Sequence, residues 1–140
     1  MTEKPKPPFS ALIYGEIVYW GTLAGCLISL IGTFITFVFP KKNVLDPAYV
    51  LSSLWTGKTA KEIWVGALGA EPMGHWYLSN LSCGDALQMF GLAIGVFTII
   101  PACFGASLAL FKEKQTVYAI LAFIAGMITT LSMLGLFAIK

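Results

Sequence analysis

One histidine, three cysteines and two carboxylates beside long apolar runs are the residues here whose types could do chemistry. His75 lies between Met73 and the aromatic pair Trp76-Tyr77. A structural zinc takes four ligands, and a b-type haem commonly takes two histidines. One loop histidine builds neither site alone. It is expected at a surface or interface, or as one contributor, with Trp64 and Trp76, to a pocket shared with another subunit. Cys26 and Cys103 sit in apolar runs, where cysteine acts as a small hydrophobe. Cys83 is more exposed by its context, and the odd count leaves at least one thiol without an internal partner. Gly57-Lys58-Thr59 fails as a phosphate loop, because the position that must hold the first glycine is Ser52. Glu16 and Asp85 each precede an apolar run, and helix capping explains both. No catalytic set, metal site or cofactor is expected from these residues.

The elements that must position them are set by composition. Charged residues make up 11% of the chain and hydrophobic ones 57%, with a mean hydropathy of +0.79. A soluble domain carries about 25% charged residues. Three uncharged stretches, 17–39, 86–111 and 116–139, each exceed the ~20 residues a helix needs to cross the hydrocarbon core. The expected fold is therefore all-α and integral to a membrane: one domain over 1–140 with three transmembrane helices. A polar tail, 1–16, precedes the first helix, which is expected to stay in the mature protein. All nine basic residues are lysines, so bidentate phosphate recognition by arginine is absent and no nucleic-acid partner is expected. The lysines divide almost evenly between the two sides, leaving a slight lean to a cytoplasmic amino terminus.

Residues 40–85 differ in composition and are expected to form an interfacial loop with short amphipathic helices. Asp46-Pro47 reads as N-cap plus first helical residue, followed by Val50, Leu51, Leu54 and Trp55 at helical spacing. Thr59-x-x-Glu62 is a capping box leading into Ile63, Trp64 and Val65, and Ser82-x-x-Asp85 reads as another before the second span. The short turn 112–115 makes the second and third spans antiparallel neighbours. Pro101 should kink the second span by removing a donor opposite the Phe97 carbonyl.

Small residues recur at four-residue spacing: Gly21, Gly25 and Ser29 in the first span, Gly91 and Gly95 and then Gly105 and Ala109 in the second, Ala122, Gly126 and Thr130 in the third. Such faces let helix backbones approach closely. They exceed what three helices need among themselves, which suggests faces for a partner.

Gly91-x-x-x-Gly95, Pro101, Phe111 before Lys112-Glu113-Lys114, and Val117-Tyr118 opening the next helix resemble a family of small uncharacterised prokaryotic membrane proteins. The resemblance covers the last two helices. It departs at Ile100, where the family commonly has a threonine, and in lacking an arginine soon after Pro101. It implies a multi-pass protein of a prokaryotic plasma membrane and brings no catalytic residues.

The expected function is that of a small non-catalytic accessory subunit, packed against lipid and other integral membrane subunits of a larger complex. Two alternatives stand beside it. One is a transport component, homo-oligomeric and kinked at Pro101. The other is an electron-transfer subunit in which Trp64, His75 and Trp76 line a quinone or haem pocket.

Overall fold

A computed structural model describes residues 6–135. Among them the structure is helical throughout: α1 (Phe9–Val38), α2 (Pro47–Trp55), α3 (Ala60–Leu68), a short 3-10 helix (Trp76–Asn80), α4 (Gly84–Phe97), α5 (Ile99–Lys112) and α6 (Thr116–Met133). Three stretches are long and apolar enough to cross a membrane, namely Phe9–Val38, Gly84–Lys112 and Thr116–Met133. The expected ends of the chain, 1–5 of the polar tail and 136–139 of the third span, lie outside the described residues.

By packing, the chain divides into two compact units, Met1–Ala24 with Ile94–Lys140, and Gly25–Ala93. In the first unit, α5 and α6 pair as a hairpin through a turn in which Lys114 takes a left-handed φ of 60°. Small side chains set the hairpin's close approach: Ala102, Ala106, Ala109 and Ala119 are buried. Ser107 is buried with them and donates from Oγ to the Ala119 carbonyl at 2.8 Å. Phe104 and Phe123 meet edge to face at 5.4 Å beside this seam.

Helix α1 begins at Phe9, inside the stretch expected to be polar tail. Pro7-Pro8 precedes it, and the Pro8 carbonyl receives the Ala11 and Leu12 N–H groups. The first turn of a helix has spare N–H groups. Glu113, in the turn after α5, takes one of them: Oε1 accepts from Ser10 N at 2.9 Å and Oε2 from Ser10 Oγ at 2.8 Å. Those bonds, the backbone one first, hold the Glu113 carboxyl below its ordinary range. Glu16 then lies within the helix instead of before it. It accepts from the Trp20 indole one turn on at 3.0 Å, so it caps nothing.

Local signals build the middle of the second unit. Asp46 accepts from Ala48 N at 3.0 Å with Pro47 at the first helical position, as expected for α2. Thr59 and Glu62 form the reciprocal capping box of α3, and Gly69 ends that helix at φ 76°, a conformation that favours glycine. Ile63, Ser53 and Tyr77 are the buried residues of this region.

Candidate functional site

The start of α4 organises the second unit, in a way that corrects the expected Ser82-x-x-Asp85 capping box. Asp85 does not pair with Ser82. Its carboxylate instead accepts from Val44 N at 2.9 and 3.0 Å, Leu45 N at 3.0 Å and its neighbour Ala86 N at 2.9 Å. Asn43 completes the clasp. Its Oδ1 accepts from Asp85 N at 3.3 Å, and its Nδ2 donates to the Thr36 and Pro40 carbonyls at 3.2 and 3.1 Å. Gly84 N adds a bond to the Lys42 carbonyl at 2.9 Å. Charge-assisted bonds of this kind are about twice as strong as neutral ones. They tie residues 42–45 to the start of α4.

The clasp borders an apolar cleft of about 420 Å³. One wall is the stripe Pro47, Val50, Leu51 and Leu54 of α2, spaced as one helix face. Trp64 and Trp76, edge to face at 5.0 Å, also line it. Thr36, Gln88 and Met89 complete the lining with Leu45 and Asp85. Binding pockets for small molecules have this character, mostly apolar with a few polar groups. His75 is not part of the lining. Its Nδ1 lies 3.2 Å from the Tyr77 hydroxyl, so the ring pairs with its own 3-10 turn. Of the three loop residues singled out by sequence, the fold therefore brings Trp64 and Trp76 together and sets His75 beside them. The α2 stripe and Gln88 were not expected here, because nothing local shows which element a stripe will face.

The small residues take up distinct roles. A Cβ on Gly91 would meet Ser29 N and, at 2.5 Å, the Gly25 carbonyl; one on Gly84 would meet Thr36 N at 2.6 Å. Gly32 faces Gln88 backbone in the same manner. Gly21 lies against the Thr98 side chain; a Cβ on Gly105 would stand 3.1–3.2 Å from Ile13 and Ile17, and one on Gly126 3.3 Å from Cys103 and Phe104. Ala122 is half-buried, and Gly95 has nothing within 4 Å of where its Cβ would stand. Pro101 is exposed, and regular helix is interrupted at Thr98, between α4 and α5. That is the turn in which a proline leaves the Phe97 carbonyl without its donor.

A family model matches residues 10–136. The chain belongs to this uncharacterised archaeal family. The match reaches well beyond the last two helices, on which the sequence resemblance rested. Two uncharacterised proteins of Archaeoglobus fulgidus are similar to the chain. One is 32% identical over 133 residues, 94% of this chain and 91% of that protein. The other is 29% identical over 99 residues, 69% of this chain and 64% of that protein, so the match leaves about a third of this relative uncovered. No solved structure matches the chain. Membership gives the family's extent and no chemistry.

Proposed function

We propose that the chain is a multi-pass protein of a prokaryotic plasma membrane and serves as a non-catalytic packing subunit within a larger membrane assembly. The observation that carries this reading is the apolar surface its helices leave uncovered. Only 11% of the most apolar window is buried in α1, and the same share in α6. Phe34, Phe37, Val117 and Leu121 all stand exposed on these two helices. In water such a surface would drive aggregation, whereas in a bilayer lipid tails and neighbouring helices cover it. The uncharged runs 17–38, 86–111 and 116–133 within these spans favour a packing role over ion transport, which normally needs ionisable groups at membrane depth.

Where a partner helix would sit is narrowed by the glycines. Gly25 and Gly91 contact each other's helices, and Gly126 contacts α5. Gly95 alone of the sequence-selected glycines meets nothing, and it offers the close approach that helix association in lipid uses. The test is native mass measurement after gentle detergent extraction from the source membrane. A mass above that of one chain, containing other membrane proteins and lost in Gly95→Leu, is the expected result. A lone chain, or a complex indifferent to Gly95→Leu, contradicts the packing role.

A further inference from the structure

The cleft beside the Asp85 clasp has more hydrogen-bonding capacity than the protein uses. Asp85 itself is saturated by backbone N–H groups. Gln88, by contrast, is one of the few polar residues of an apolar lining, and no side-chain or backbone group among the described residues pairs with its amide. The indole N–H groups of Trp64 and Trp76 likewise have no partner among those residues. Thr36 Oγ1 is the buried side-chain polar atom there without a partner; neither indole nitrogen nor the Gln88 amide is buried so deeply. These three donors therefore stay open to a ligand. In the same lining, Leu51 and Leu54 of α2 remain exposed, although they belong to the stripe that should be covered.

An apolar lining that also carries neutral donors fits a hydrocarbon body ending in an uncharged acceptor oxygen. A charged headgroup does not fit, because the cleft offers no free cation and its one carboxylate is engaged. We propose that the cleft binds the chain of a neutral-headed membrane amphiphile. Leu51 and Leu54 hold the hydrocarbon against the two tryptophans, and Gln88 Nε2 donates to the carbonyl oxygen. Both an isoprenoid quinone and the ester end of a lipid chain carry that chemistry. The cleft is shaped for one chain, since about 420 Å³ is at the small end of ligand pockets.

This inference goes beyond the packing role. A chain recovered without detergent would sink the membrane reading, whereas the experiment here reads binding by the purified protein. Trp20→Phe and Trp55→Phe leave Trp64 and Trp76 as the reporters; both replaced side chains are exposed and lie outside the cleft. The detergent-solubilised protein is titrated with decyl-substituted benzoquinone in one arm, and with a short phosphatidylcholine brominated on one chain in the other. Saturable quenching near one equivalent is expected in at least one arm. Quinone alone or lipid alone identifies the source, and both support the site. Leu51→Phe, which fills the cleft from α2, should raise the half-saturation concentration at least fivefold, and Gln88→Leu should raise it less. Quenching that grows linearly in both arms, or saturation unmoved by Leu51→Phe, overturns the site. Saturation unmoved by Gln88→Leu alone overturns the assigned acceptor contact.

Discussion

The two units use glycine for different purposes. In the second, Gly32, Gly84 and Gly91 bring backbone against backbone, so that an added Cβ meets amide nitrogens and carbonyl oxygens. In the first, a Cβ added at Gly105 or Gly126 would meet side chains at 3.1–3.3 Å, and one at Gly95 would meet open space. Each unit also has one carboxylate clasp: Asp85 reaches backbone N–H groups some forty residues earlier in the second, and Glu113 reaches Ser10 over a hundred residues earlier in the first, whose α5–α6 seam is otherwise alanines and one serine hydroxyl. Backbone cannot move aside as a side chain can. Tolerance to substitution at these glycines should therefore follow whether backbone or side chain lies against them, and not the residue type.

The largest effect is expected at Gly91→Ala, where the new methyl group must displace the Ser29 and Gly25 backbone. Overpacking of this kind costs about 1–3 kcal/mol, and the missing freedom to adjust puts it at the upper end. Thermal unfolding in detergent measures it, and a shift no larger than that of Gly126→Ala would erase the contrast between units. Next comes Asp85→Ala. It orphans the Val44 and Leu45 N–H groups, at about 1–3 kcal/mol for a buried donor and less where water reaches them. Faster proteolysis between 40 and 58 than in the hairpin turn is the expected reading; equal rates would mean that the clasp does not hold the loop.

A smaller, pH-dependent effect distinguishes the carboxylates. Glu113 and Glu62 are both held below the ordinary glutamate range by hydrogen bonds to Ser10 and Thr59, respectively. A lowered folded-state pKa contributes stability above the unfolded value, about 4.3, that is lost as pH falls through the folded one. Glu113 links elements far apart in sequence, while Glu62 caps its own helix. Glu113→Gln should therefore flatten the acid limb of hairpin unfolding, and Glu62→Gln should leave that limb in place. The reverse order would show that the Ser10 clasp is ornamental. The smallest effect belongs to Gly95→Ala. With open space for the methyl group, it should stabilise by about 0.5–1 kcal/mol through helix propensity, unless a partner occupies that face in the assembly. Stabilisation of the isolated chain together with weakening of the assembly would sharpen the contrast further.

What could be read from sequence was whatever a few neighbouring residues decide. Asp46-Pro47, the Thr59–Glu62 box, the turn around Lys114 and the three apolar runs each carry their own signal within one or two turns. Asp85 shows the limit. A carboxylate one residue into a helix reads as a cap, and nothing near it announces that its partners are Val44 and Leu45. The start of α1 at Phe9 was hidden for the same reason, since the Glu113 that receives its Ser10 groups lies over a hundred residues on. Of the candidate site, the Trp64–Trp76 pair was visible as aromatic composition and the α2 stripe as periodicity. That they line one cleft is tertiary information.

Membrane crossing is the claim on which the rest depends, and side-specific labelling tests it most directly. In a background with Cys26, Cys83 and Cys103 changed to alanine, single cysteines replace Lys58, before the Gly84–Lys112 stretch, and Lys114, after it. An impermeant maleimide applied to sealed, oriented vesicles should label one position from outside and the other only after permeabilisation. Labelling of both from the same side would contradict the three-span arrangement.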